Sequence, residues 1–273
     1  MGEGNLIDRL ERALSELGEM DELAAASSPI HDRCPLSKLV TTVIYILVVI
    51  SFGKYELAAL SVMVLYPALL FALSGIPVRT CFYKLRFVLP LVLAVGLFNP
   101  IFDRAPRLML GPLAVSGGVL SMATLMLKGV LCLTASFLLA ATTGIDALCA
   151  ALRRLHVPPL IVTLLLLTYR YVAVMTEELS VMTQAYHLRA PGQKGIRFDA
   201  WGSFLGQLLL RSMDRAQELY ESMRLRGFDG RFYYAHSPRC TVSDALFAAV
   251  SVGFFALARA CNVAQLLGTL LMR

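Results

Sequence analysis

Five stretches of this sequence, 39–52, 57–73, 87–102, 119–142 and 242–257, stay apolar for longer than an amphipathic element permits. They lack the alternating polarity of a chain that closes around its own core, and read as segments dissolved in lipid. The whole chain agrees: 57% of its 273 residues are hydrophobic and only 16% are charged, against about a quarter in soluble domains, which excludes an ordinary soluble fold. Mean hydropathy is +0.67. Several blocks are shorter than the roughly 20 residues of a straight span, which predicts tilted or kinked helices, with Pro67, Pro90 and Pro100 as kink sites. The expected fold class is an all-α integral membrane protein with about five transmembrane helices.

A sixth stretch, 157–176, is hydrophobic enough to be ambiguous, and the basic residues decide how to read it. With five spans and a cytoplasmic N-terminus, the inside holds Arg9, Arg12, Arg33 and Lys38, then Arg79, Lys84 and Arg86, then the twelve basic residues from Arg153 to Arg239. The outside keeps Lys54, Arg104, Arg107 and Arg273, while Lys128 and Arg259 fall within apolar segments. That split of 19 to 4 follows the positive-inside rule, whereas six spans would leave 10 against 12 and no bias. The formal charge of +6 is therefore read as topology and not as a nucleic-acid footprint. The boundaries that follow are a cytoplasmic segment at 1–34, four spans in 35–143, a cytoplasmic insertion at 144–239, and a last span with the C-terminus at 240–273.

The six cysteines (Cys34, Cys81, Cys132, Cys149, Cys240, Cys261) contain no CxxC pair, and the four histidines (His31, His156, His187, His236) are dispersed. The scatter predicts neither a disulfide framework nor a metal site, and the chain shows no cofactor motif. Positions 1–21 mix acids and bases around Leu6, Leu10, Leu14 and Leu17, which predicts a short amphipathic helix and not a signal peptide.

Inside the insertion the sequence writes three helices. The first, 145–155, is amphipathic, with Leu148, Ala151, Leu152 and Leu155 on one face. Pro158-Pro159 opens a second that runs without Gly or Pro to Ala190 and stops at Pro191-Gly192. It begins apolar at 160–167 and ends polar with Glu177, Glu178 and Gln184, so it is expected to lie under the bilayer and then leave it. The third runs from Asp199, read as an N-cap, to Arg226, with Gly227 as its stop. Leu209, Met213, Ala216, Tyr220 and Met223 form its apolar packing stripe, and Arg211/Asp214, Arg215/Glu218 and Glu221/Arg224 are spaced as ion pairs on the charged face. The last two helices end alike, in Leu188-Arg189-Ala190 and Leu225-Arg226-Gly227. An arginine in a last turn suits the helix dipole. Two such ends on successive long helices also offer guanidinium groups to carboxylates in grooves of another protein.

Arg211-Ser212-Met213-Asp214-Arg215-Ala216 with Tyr220 to Phe228 resembles the second coupling motif of the transmembrane T component of energy-coupling factor ABC transporters, and His187-Leu188-Arg189-Ala190 stands where the first would be. Similarity to the cobalt-type, CbiQ-like branch extends through Asp32 to Leu39, Phe98-Asn99-Pro100, Leu110-Gly111-Pro112-Leu113, Ala141-Thr142-Thr143, Leu152 to Leu155 and Tyr169-Arg170-Tyr171. The family's Ala-Arg-Gly triplet is altered at both sites, but each keeps its arginine. The resemblance implies long coupling helices that cross beneath the membrane, their arginine ends seated in two ABC ATPase subunits. It further implies a separate substrate-binding membrane subunit, and uptake of cobalt, or alternatively nickel, across the cell membrane, with cobalt feeding cobalamin biosynthesis. The ATPase-coupling residues are then Leu188, Arg189, Ala190, Leu225, Arg226 and Gly227. On this reading the chain is no enzyme, for it has no GxxxxGK[ST] phosphate loop. Small and methionine side chains (Ala173, Met175, Met182, Met213, Met223) suit surfaces that slide. The rival reading, a self-contained carrier, channel or membrane enzyme, would place carboxylates or histidines inside the spans. Here the charges within apolar segments reduce to Lys128, expected to snorkel or meet a carbonyl, and Arg259.

Overall fold

The computed structural model describes residues 12, 15, 18–86, 88–98, 106–110, 113–193, 195–230 and 240–260. The chain divides into two compact units, one formed by Leu23–Gly144 with Pro238–Arg273, the other by Met1–Glu22 with Ile145–Ser237. The amphipathic helix expected around Leu6 to Leu17 rests on residues outside those described, as do Pro100 and Cys261.

The first unit contains α1 (Pro35–Ser51), α2 (Leu57–Val62), α3 (Leu65–Ser74), α4 (Val78–Leu85), α5 (Leu89–Leu97), a hairpin of β1 (Pro106–Leu110) and β2 (Leu113–Ser116), then α6 (Gly117–Thr142) and α10 (Val242–Ala260). The second holds α7 (Ile145–Arg154), α8 (Pro159–Arg189) and α9 (Phe198–Leu225). The protein is an all-α membrane protein, with that antiparallel hairpin as the exception among the described residues. By length and composition 57–74, α6, α8 and α10 are each able to cross a bilayer, the bent pair α4 and α5 makes a fifth candidate, and α1 is a shorter apolar helix.

The first unit is organised on α6, which packs against α1, α2, α3, α4 and α5, while α10 packs on α1 and α2. Three of its threonines are satisfied within the helix, as bilayer burial demands: Thr124, Thr134 and Thr142 each donate to the carbonyl four residues back. At Gly129 the backbone of α6 comes so close to Val92 of α5 that a Cβ would lie 3.0 Å from its Cγ1, the close approach that small residues allow between membrane helices.

Two of the expected kinks are seen, each just before its proline. Pro67 has no N–H for the Met63 carbonyl, and the helix breaks at Met63–Val64 between α2 and α3. The freed carbonyl accepts the Tyr45 hydroxyl at 3.0 Å, and Tyr45 stacks into a buried cluster with Tyr66 (4.8 Å) and Phe255 (5.2 Å). Pro90 stands at the start of α5, after a bend of 53° from α4.

The charges within apolar segments serve as fasteners. Lys128 Nζ donates to the carbonyls of Ile50 and Phe52 at the end of α1, the carbonyl partner its position suggested. Arg259 binds Glu56 (3.0 Å) and the Ser51 carbonyl (3.2 Å). At the other end of α1, Lys38 is buried and donates to the Thr142 carbonyl at 2.7 Å and to that of His31 at 3.3 Å. Asp244 accepts from the backbone N–H groups of Thr241, at 2.9 Å, and Cys34. Its contact with Thr241, the residue before α10, is a capping-box bond. The same carboxylate is paired with Arg33 at 3.4 Å.

The expectation that the cysteines form no disulfide is corrected here. Cys34 and Cys240 are joined, with Cα atoms 5.2 Å apart and a sequence separation of 206. No spacing rule anticipates a pair so distant; helix ends bring it together.

Candidate functional site

In the second unit the helices α7, α8 and α9 have ends set by local chemistry. Helix α7 stops in a Schellman turn, with Val157 N–H donating to the Leu152 carbonyl and His156 N–H to that of Arg153. The turn holds His156 at φ +63°, the left-handed conformation usually left to glycine. Pro158-Pro159 then starts α8 with φ already fixed for a helix. Cys149 (0% exposed), Val162 (2%) and Leu166 (2%) lock α7 onto α8, with Ile145, Leu152 and Val157 around them. Burial there, reinforced by the neighbouring Asp146 carboxylate, pushes the Cys149 thiol pKa up, so this cysteine is an inert packing group. Asp146, in the first turn of α7, pairs with Arg170 of α8 at 3.3 Å, and Tyr169 donates to Asp21 at 2.8 Å.

Helix α8 extends to Arg189, with Ala190 as its C-cap. At about 1.5 Å per residue its 31 residues make a rod of about 46 Å. The turn that follows is tied by Tyr186, whose hydroxyl donates to Gln193 Oε1 at 2.9 Å and accepts the Arg197 N–H at 3.3 Å. Asp199, expected as the N-cap of the next helix, instead lies in its first turn, where it pairs with Arg197 at 2.8 Å. Helix α9 ends in a second Schellman turn: Phe228 N–H donates to the Met223 carbonyl and Gly227 N–H to that of Arg224. Gly227 has φ +79°, which explains glycine at that position and leaves Arg226 as the capping residue.

Arg189 and Arg226 therefore stand at the C-terminal ends of two long helices, and both are exposed. Each follows a leucine that projects into open space, Leu188 at 84% and Leu225 at 90% exposure, while Ala190 and Gly227 begin the turns. A bare leucine beside a guanidinium joins a hydrophobic anchor to a bidentate donor, a pairing suited to a groove lined by carboxylates.

Of the stripe on α9, Leu209 (60%), Met213 (53%) and Tyr220 (54%) are exposed, as is Ala216, and Met223 is half-buried. The contact of α9 with α8 is made elsewhere, around the buried Phe204 and along a cleft of about 520 Å³ bordered by Met182, Tyr186, Arg189, Phe204, Gln207 and Arg211. Arg211 is paired not with Asp214, as its spacing suggested, but with Glu178 of α8. The Arg215–Glu218 pair is present at 3.7 Å, and Arg224 lies over the Tyr220 ring, 5.8 Å from its centroid. Glu178 and Tyr186 escaped the sequence reading because their partners lie beyond one helical turn.

A protein-family model, CbiQ, described as a cobalt transport protein, matches residues 26–234, which include α1 to α9. Among curated relatives, the nickel permease LarQ of Lactiplantibacillus plantarum is 32% identical over 91 residues, 33% of each chain. The cobalt transport protein CbiQ of Rhodobacter capsulatus is 36% identical over 95 residues, 34% of this chain and 38% of its own. An uncharacterized protein of Methanocaldococcus jannaschii is 23% identical over 143 residues, 51% of this chain and 49% of its own. The aligned stretches thus span between a third and a half of the relatives' lengths.

Proposed function

The chain belongs to the CbiQ family of cobalt transport proteins, and we propose that it is the membrane coupling subunit of an energy-coupling factor importer. The observation that supports this most is the repeated pair of an exposed leucine and an exposed arginine, Leu188-Arg189 and Leu225-Arg226, at the ends of α8 and α9. Each end seats in one of two ABC ATPase subunits. ATP binding closes those subunits and draws Arg189 and Arg226 together. The helices then act as levers on a separate membrane subunit that holds the metal ion as cargo. The exposed stripe Leu209, Met213, Ala216, Tyr220 and Met223 offers a packing surface to that assembly. The chain itself neither binds nor hydrolyses nucleotide.

Cobalt is the favoured cargo, for use in cobalamin biosynthesis; the resemblance to a nickel permease supports nickel as the second reading. The test is ATP-dependent uptake of radioactive cobalt and nickel by cells that express this chain with its ATPases and substrate-binding subunit. Uptake that needs all components and is competed by excess unlabelled cobalt supports the proposal. Uptake by this chain alone, without ATP, would show a self-contained carrier.

We place α8 on the cytoplasmic side, its apolar start against the membrane interface and its polar end in water. Leu160 (68%), Ile161 (55%) and Leu164 (55%) are exposed along that start, as an interfacial helix requires. Single cysteines introduced at Arg153 and Gln193 are therefore expected to react with an impermeant maleimide from the same, cytoplasmic side. Labelling from opposite sides would make α8 a sixth span.

A further inference from the structure

We propose that Cys34 and Cys240 form a reversible thiol–disulfide latch at the base of the insertion, open in the working protein and closed by a low-molecular-weight disulfide such as oxidised glutathione. The proposal rests on the cytoplasmic orientation given above. Both covalent ends of the insertion are fastened to the first turn of α1. Before the insertion begins, the Thr142 carbonyl accepts Lys38 at 2.7 Å. Where the chain returns, Cys240 is bonded to Cys34, the N-cap residue of α1, and Asp244 is paired with Arg33. The ionic and hydrogen-bonded contacts can part and re-form during a motion, whereas the covalent link cannot. The sulfur bond therefore sets whether the base of the lever is free or fixed.

The two sulfurs have unequal surroundings. Cys34 is 1% exposed, whereas Cys240 is exposed. A thiolate reductant therefore attacks the sulfur of Cys240 and forms a mixed disulfide there. Cys34 leaves as a thiolate at the N-terminus of α1, where the helix dipole offsets part of what burial costs the anion. A second reductant thiol then releases Cys240 as a thiol. In sum, one protein disulfide and two thiols give two protein thiols and one small disulfide, and closure is the reverse. A pair on the cytoplasmic side is held reduced by the compartment, where disulfides serve sensing more than structure.

Right-side-out membrane vesicles carrying the full chain with its ATPases and substrate-binding subunit, loaded inside with ATP and with graded ratios of reduced to oxidised glutathione, provide the test. Mass spectrometry of alkylated peptides reads the pair, and ATP-driven metal uptake reads the consequence. The expected result is reversible interconversion of the pair, with uptake falling roughly fivefold or more on closure and recovering on reduction. Cys34→Ser keeps a favoured N-cap, and it and Cys240→Ser should transport at the open rate in both conditions. The buried Cys149 should stay unmodified. A pair that remains closed or open throughout, or serine variants that lose uptake together with the wild type, would overturn the latch. If the pair responds only to glutathione on the opposite face, the orientation is wrong and the bond is an ordinary structural disulfide. If the wild type takes up neither metal in either state, the coupling reading fails on its own. The latch is then decided by the pair's titration and by whether closure slows trypsin cleavage within the insertion.

Discussion

Charge reversal at either lever tip, Arg226→Glu or Arg189→Glu, is expected to strip the ATPase subunits from the purified complex while the substrate-binding membrane subunit stays bound. Both side chains are exposed at helix ends, so neither substitution removes a core contact, and the chain should reach the membrane in normal amounts. The size of the effect separates the two roles an arginine has there. As a partner for the helix dipole it contributes only about 0.3–1 kcal/mol, to stability alone. As one half of a desolvated ion pair in a partner's groove, its loss costs about 2–5 kcal/mol of binding, and reversal adds repulsion. A weakening of roughly a hundredfold or more in affinity follows from that range. Leu225→Ala should weaken binding less than Arg226→Glu. Co-purification in mild detergent with uptake measured in parallel reads all three. Normal ATPase binding by both charge-reversed proteins would reduce Arg189 and Arg226 to helix caps and return the carrier reading to contention.

What the sequence disclosed and what it hid divide along sequence distance. The ends of the long helices follow from contacts within a turn: the sequence predicts stops at Ala190 and after Arg226, and the structure ends α8 at Arg189 and α9 at Leu225. Pro67 and Pro90 announce breaks because a missing N–H acts on the carbonyl four residues back. Distant pairings left no such trace. Cys34 and Cys240 meet across 206 residues, and Arg211 takes Glu178, 33 residues away, over the nearby Asp214. Asp199 shows the same limit, since capping was the local reading and it is engaged by Arg197. The arginine tips were legible because they repeat, and repetition is visible without the fold.

Lys38→Met is expected to be the most damaging single change in the first unit. Lys38 is 6% exposed, and its ammonium meets the Thr142 carbonyl at 2.7 Å and the His31 carbonyl at 3.3 Å. Thr142 is the last residue of α6, so its carbonyl is one of the four that a helix end leaves without an intrahelical partner. A cation there also faces the negative end of the helix dipole. Methionine fills a similar volume but donates nothing, which strands that buried carbonyl at a cost of about 1–3 kcal/mol, and the lost charged donor raises the total towards the upper end. Relief from burying the ammonium offsets part of this, which leaves roughly 2 kcal/mol of net destabilisation. Thermal unfolding of the protein in detergent should show a lower midpoint, and less of it should accumulate in the membrane. Lys38→Arg, which keeps the charge and its donors, should lose less. The loss should reach function even in the protein that folds, because Thr142 lies three residues before α7 begins at Ile145. An unchanged midpoint for Lys38→Met would mean that other groups hold the end of α6, and that the base of the lever does not depend on this lysine.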